Sequence, residues 1–170
     1  MKKTDIKVLA KEDVIDLIAN QWMLITAGTA DKFNTMTASW GGVGYLWHKP
    51  VAYLFIRPER YTHEFVEAND RLTISFFPES QRRALQLCGS KSGRDINKVE
   101  AAGLHAVEMP EGVMGFDEAR LTLVGRKLFK ADMKAEDFVD VSLLERWYND
   151  QPGGGFHSVY VVEIESVYEK

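Results

Sequence analysis

Phe33-Asn34-Thr35-Met36-Thr37-Ala38-Ser39-Trp40-Gly41-Gly42 is the stretch on which the fold turns. As a strand it puts Thr35, Thr37 and Ser39 on one face, each ~6.8 Å from the next, and Met36, Ala38 and Trp40 on the other. One face is then a ladder of small hydroxyls beside open backbone. The other is apolar and can enter a core. Gly41-Gly42 lets the backbone turn where a residue with a Cβ would be strained. Such a surface suits a flat, polar-edged ligand. The same alternation also describes an ordinary half-exposed strand with a solvated Thr/Ser face.

Working outward, residues 22–29 are rich in strand formers and run into the turn-like Gly28-Thr29-Ala30-Asp31-Lys32. That predicts a hairpin with the 34–40 strand. Upstream, Val14, Ile15, Leu17 and Ile18 lie at helical spacing and predict a short amphipathic helix over 12–19. Residues 7–9 read as a short edge strand or a lead-in. Downstream, 45–49 read as a loop carrying Trp47 and His48, closed by Pro50. The almost continuously apolar 51–57 reads as a strand buried on both faces. Residues 62–68 read as a helix with Thr62 as N-cap and with Phe65 and Val66 facing inward. Further strands are expected at 72–77, 119–131 (bent at Gly125) and 158–168. Helices are expected at 80–87 and 96–102, with a helical turn or two within 138–148. Residues 107–115 read as irregular, and Gln151-Pro152-Gly153-Gly154-Gly155 as the most flexible stretch. Strands dominate and no βαβ rhythm runs through them. A doubly wound sheet is therefore disfavoured, and a closed or nearly closed antiparallel barrel is expected.

Composition narrows the function. A chain of 170 residues reads as a single domain over 1–170. Hydrophobic residues at 45% and charged residues at 27% place it in the soluble globular class. A net charge of −4 gives no reason to expect a nucleic-acid partner. No apolar run approaches the ~20 residues that span a bilayer. The basic Met1-Lys2-Lys3 start is not followed by an apolar signal core, so a cytoplasmic location is the expectation. The lone Cys88 excludes an intramolecular disulfide, a CxxC pair and a multi-cysteine zinc site. His48, His63, His105 and His157 lack metal-ligand spacing, so no metal is expected.

Two stretches could hold an anion. Arg57-Pro58-Glu59-Arg60-Tyr61-Thr62 joins an apolar strand to a helix start, where unpaired N–H groups and the dipole favour negative charge. Arg57 or Arg60 can add a charge-assisted fork, and Thr62 a hydroxyl. The competing reading is a capped helix with two solvated arginines. Ser90-Lys91-Ser92-Gly93-Arg94-Asp95, with Lys98 one turn on, offers glycine-exposed N–H groups beside hydroxyls and cations. It lacks the order of a Walker loop, and by itself also reads as a surface loop. Trp40, Tyr45, Trp47 and Phe156 could line a planar ligand, although aromatics are more often core or interface.

Three blocks together resemble the flavin reductase-like, FMN-binding split-barrel proteins, and within them the flavoredoxin-like group. They are Asn34-Thr-Met-Thr-Ala-Ser-Trp40, Arg57-Pro-x-Arg-Tyr-Thr62, and Ser92-Gly-Arg-Asp-x-x-Lys98 followed by Gly103-Leu104. The C-terminal Phe156-His157-Ser-Val-Tyr is similar to the family's last strand, with its aromatic–His pair. The resemblance implies a mainly β fold, a six-stranded split β-barrel of Greek-key type with helical excursions, and a homodimer. It also implies FMN. Asn34, Thr35, Met36, Thr37, Ala38, Ser39 and Trp40 would line the isoalloxazine. Arg57, Tyr61 and Thr62 would sit near the phosphate, with Ser92 and Lys98 reaching it from the neighbouring loop. Phe156 or His157 would close over the ring. The implied activity is that of an oxidoreductase taking electrons from NAD(P)H or a protein donor. A non-catalytic electron carrier or flavin store is the alternative.

Overall fold

Strand follows strand through the computed structural model, which describes residues 1–148 and 155–170. Apart from Gly155, the glycine stretch 151–155 lies outside the described residues. In chain order the elements are β1 (Lys2–Thr4), α1 (Val14–Asp16) running on into a π-helical turn Leu17–Gln21, β2 (Met23–Gly28), β3 (Phe33–Ala38), β4 (Gly41–Leu46) and β5 (Lys49–Ile56). Then come α2 (Tyr61–Ala68), β6 (Arg71–Phe76), α3 (Arg82–Ser90), α4 (Lys98–Ala101), β7 (Ala106–Glu108), β8 (Met114–Phe116), β9 (Leu121–Asp132), α5 (Ser142–Trp147) and β10 (Ser158–Glu169). The fold is mainly β and antiparallel, as the strand-rich sequence implies. The main sheet has eight strands rather than six. Seven follow the order β3-β2-β6-β9-β10-β5-β4, and β1 pairs with the end of β10. The path ends on β3 and β4. These are joined through Ser39 and Trp40, and no ladder connects them among the described residues.

The hairpin expected from residues 22–40 is present, with Met23 opposite Ala38 and Gly28 opposite Phe33. All six residues of β2 are buried. Met23, Ile25 and Ala27 enter the main core with Leu54, Ile56, Phe76 and Tyr160. Leu24 points the other way, into a second core with Phe77, Leu85, Cys88 and Phe116. That second core is how α3 comes to lie against the sheet beside β3.

Four local expectations need correction. The strand buried on both faces is β2, not 51–57; in β5, Tyr53 and Phe55 are only half-buried, because no layer covers their face. Residues 45–49 are no loop but the tip of a hairpin, with Trp47 and His48 both left-handed at φ 52° and 57°. This is the two-residue turn whose twist suits a hairpin, though it is usually made by Asn-Gly. Strand β4 is hidden in the sequence by Gly41, Gly42 and Gly44, which are poor strand formers. They are there for space: a Cβ at Gly41 would lie 2.7 Å from the Tyr53 carbonyl oxygen, and one at Gly44 3.1 Å from the Tyr53 ring. Residues 7–9 sit in a 3-10 turn, Ile6–Lys11, and the edge strand is β1. Residues 107–115 form the small β7–β8 hairpin.

Candidate functional site: the outer edge of strand β3

Strand β3 ends the sheet, so every other backbone N–H and C=O along its outer edge lacks a strand partner. Its side chains are less open than the alternation suggests. Thr35 is buried, 2.8 Å from the Thr26 hydroxyl, and donates to the Ile25 carbonyl. Thr37 donates to the Leu85 carbonyl of α3 at 2.5 Å. The expected ladder of free hydroxyls is therefore spent on packing, and only Ser39 has no hydrogen bond among the described residues. Met36 is core, as expected. Trp40 lies past the end of β3 and is 41% exposed instead of entering the core.

Thr62 is not the N-cap of α2. Arg60 holds that place, without a side-chain bond. Thr62 stands one turn position further in, fully buried, and accepts a hydrogen bond of 2.8 Å from the Asn34 amide. That bond ties β3 to α2. Gly93 ties the 92–97 loop to the same point, since a Cβ there would fall 2.1 Å from Asn34 Oδ1.

Two clefts flank this strip. The first, about 520 Å³, lies at the start of β3 and is lined by Lys32, Asn34, Tyr61, Gly93, Arg94 and Lys98. Lys98 is 4% exposed, yet among the described residues its Nζ bonds only the Cys88 carbonyl, at 3.1 Å. Burial, with Arg60 adding, pulls its pKa down to about 8. A buried ammonium without a carboxylate is costly unless an anion joins it. Arg60 Nη2 and Arg57 Nη1 are also buried without a hydrogen-bond partner among the described residues, and burial lowers the Arg60 pKa while Glu59 opposes the shift. Arg94 lies 4.6 Å over the Tyr61 ring and pairs with Glu64.

The second cleft, about 180 Å³, lies at the far end of β3. Met36, Thr37, Ala38, Ser39 and Trp40 form one wall, and Phe55, Arg57, Arg60 and His157 the other. Trp147 of α5 meets the Trp40 ring edge-on at 5.1 Å, and His157 lies 5.2 Å from it. Arg60 belongs to this cleft and acts electrostatically on Lys98 in the first. It is the link between the two.

The family model of the flavin reductase like domain matches residues 15–170 of the chain. The chain belongs to the flavin reductase-like domain family. No curated protein matches the chain. Among solved structures, it is similar to flavoredoxin of Desulfovibrio vulgaris (Miyazaki F), at TM-score 0.68 and 17% identity over 100% of this chain and 77% of that one. It is also similar to the FMN-binding protein of Thermus thermophilus with bound 1-cyclohex-2-enone, at TM-score 0.68 and 21% identity over 87% and 69%. The NADH:FAD oxidoreductase SgcE6 of Streptomyces globisporus C-1027 aligns at TM-score 0.65 and 13% identity over 88% and 75%. At such identities these likenesses speak for the fold. No helix among the described residues is long and apolar enough to cross a membrane.

The structure thus brings Asn34, Tyr61 and Lys98 to one cleft, and Met36 through Trp40, Arg57 and His157 to the other. Thr35 and Thr62 lie buried behind the strip. The Ser92 hydroxyl accepts from the Arg94 N–H and shapes its own loop rather than lining a cleft. Phe156 packs on Tyr148 and Phe138, outside both clefts. Arg57 donates to the Trp147 carbonyl at 2.8 Å, which turns it toward the α5 side. Phe55 and Tyr148 were not singled out from sequence. Strict alternation along β5 marks Phe55 as opposite in facing to Leu54 and Ile56. Trp147 and Tyr148 give no such signal, because only the fold brings them to Trp40 and His157.

Proposed function

We propose that this protein is an FMN-binding flavoprotein oxidoreductase that passes electrons through the bound flavin. The observation that carries this reading is the buried Lys98, bonded to no carboxylate among the described residues, at one end of an open strand edge that has an aromatic cleft at the other, with Arg60 between them. A flavin mononucleotide has that polarity. Its phosphate is close to a dianion at neutral pH, its ring system is planar, and its pyrimidine edge alternates acceptor and donor as a strand edge does. Lys98 and Arg60 would hold the phosphate, with Asn34 and Tyr61 beside it. The backbone of residues 36–40 would face the ring, and Trp40 and His157 would bound it. Arg57 contributes to this end of the site and not to the phosphate. The bound flavin supplies the hydride and electron chemistry, and the protein supplies binding, orientation and polarity. Exclusion of water from the ring falls to Trp40, Trp147 and Phe55.

NAD(P)H is the proposed donor, as the name of the Streptomyces relative suggests for that protein. A homodimer in the cytoplasm is the proposed setting. Tyr45 and Trp47 are 70% and 54% exposed, and Trp47 stacks near the half-exposed Phe129 to form an aromatic patch suited to self-association. The experiment is a visible spectrum of the purified protein followed by anaerobic mixing with NADH and NADPH. A bound flavin band that bleaches rapidly with either nucleotide is expected. Bleaching only by a reduced iron–sulfur or flavodoxin donor would instead make it an electron carrier. A colourless protein that does not rebind FMN would refute the flavin reading.

A further inference from the structure

Behind the aromatic cleft, Tyr148 at the end of α5 meets His157 at the start of β10. Tyr148 Oη lies 2.8 Å from His157 Nδ1. The other ring nitrogen, Nε2, has no hydrogen-bond partner among the described residues, and the ring forms part of the cleft wall. Three contacts hold the pair. Arg57 donates to the Trp147 carbonyl and sits 5.2 Å over the Tyr148 ring. Phe156 and Phe138 pack against the same ring, at 4.9 and 5.5 Å. The His157 carbonyl accepts from the Met133 N–H at 3.0 Å.

The direction of the Tyr148–His157 bond follows from the chemistry of the two groups. A phenol hydroxyl is a good donor, and a bare imidazole nitrogen is a good acceptor. Among the described residues the only competing acceptor near the hydroxyl is the Met133 thioether at 3.6 Å, a weak one. We infer that Tyr148 fixes His157 as a neutral imidazole with its proton on Nε2, a hydrogen-bond donor set in the cleft wall for an acceptor atom of the ring system bound there, and that Arg57 is the positioning residue for Tyr148. Burial, and then the Arg57 charge, hold the His157 pKa down to about 4, so the ring stays neutral at physiological pH. The charged and titratable groups around it among the described residues are Arg57 and Tyr148, with Arg60 lining the same cleft, and the pKa of Tyr148 is itself raised by burial. Second-sphere hydrogen bonds set histidine tautomers in this way in other sites. That the acceptor belongs to a flavin rests on the proposed function; the tautomer does not.

The test is nitrogen-15 NMR of histidine-labelled apoprotein near neutral pH, with the His157 signals assigned by their loss in His157→Gln. The expected spectrum shows His157 protonated on Nε2, with Nδ1 shifted as a hydrogen-bond acceptor. In Tyr148→Phe the Nδ1 signal moves toward an unbonded value and the other tautomer gains several-fold. Arg57→Lys moves it part of the way. FMN affinity falls a few-fold in Tyr148→Phe at an unchanged melting temperature. A wild-type His157 protonated on Nδ1, or an Nδ1 signal that Tyr148→Phe does not move, overturns the inference. The wild-type spectrum needs no variant to fold. Failure of wild-type apoprotein to bind FMN, with the expected tautomer in place, would refute the flavin reading and leave the assignment of His157 standing.

Discussion

The two ends of the β3 strip treat their polar groups in different ways. At the aromatic end His157 meets Tyr148 and Arg57 meets the Trp147 carbonyl, although Arg57 Nη1 and Arg60 Nη2 are each buried without a hydrogen bond among the described residues. At the other end the buried Lys98 has one carbonyl. Elsewhere on the molecule several cations are paired. Arg120 meets Glu12 at 2.7 Å, Arg126 meets Glu163 at 2.7 Å, and Arg71 meets Glu165 at 2.7 Å. No carboxylate is bonded to Lys98 among the described residues, although Asp31 and Asp95 line the same cleft. On the proposed reading the aromatic end contributes shape and a neutral donor, and the Lys98 end takes a charge from the ligand.

That contrast can be broken at its seam. Gly93→Ala places a methyl on the Asn34 amide and forces out the buried Asn34–Thr62 bond, which joins β3 to α2. Losing a buried, satisfied pair costs about 1–3 kcal/mol. A lower melting temperature and FMN affinity weakened tenfold or more, about 1.4 kcal/mol per decade, are expected together. Unchanged melting would show that Asn34 has room to move.

The ends should also respond differently to pH. With Lys98 near 8, the apoprotein carries the ammonium below that value and loses it above. A dianion binds best to the protonated form, so FMN affinity should hold up to about pH 8 and then fall by up to about tenfold per unit. Riboflavin, without a phosphate, should show no such fall. Parallel curves for both ligands would remove Lys98 from the phosphate. His157, neutral down to about pH 4, adds no step between pH 5 and 8.

Smaller effects separate ligand walls from packing. Trp40→Phe keeps an aromatic ring at a half-exposed position, so melting should stay cooperative while FMN retention falls a few-fold, as read by flavin fluorescence after gel filtration. A stability loss with unaltered FMN binding would make Trp40 structural. Cys88→Ala should matter least. The thiol is buried and its pKa is raised by burial, which leaves it a packing atom. Flavin content and reduction rate within a few-fold of wild type are expected; loss of reduction with FMN still bound would point to thiol chemistry.

How far the sequence reveals this site depends on the distance between partners. The β2–β3 hairpin is local, and alternation with a turn between the strands shows it. Lys98 and Arg60 stand in stretches whose cations, hydroxyls and glycines read as anion-binding, and the structure brings them near each other. Strand β4 was hidden because its glycines follow the demands of Tyr53 on the next strand rather than strand propensity. The hydroxyls of Thr35 and Thr37 looked free because their acceptors, on β2 and α3, are settled only by tertiary packing. Arg57 reads as a phosphate ligand beside a helix start; in the fold its Nη2 donates to a carbonyl ninety residues on, and its Nη1 is buried without a hydrogen bond among the described residues. No spacing rule reaches Tyr148 and His157, which meet across a glycine-rich stretch.

The most direct test of an externally neutralised cation end is a paired titration of apoprotein with FMN and with riboflavin, in wild type and in Lys98→Met. Methionine keeps most of the buried chain and removes only the charge. A charge-assisted bond contributes roughly 1.5–3 kcal/mol, so FMN binding should weaken by about ten- to a hundredfold while riboflavin binding hardly changes. If both ligands weaken equally, or neither does, Lys98 is a structural lysine and the phosphate is bound elsewhere.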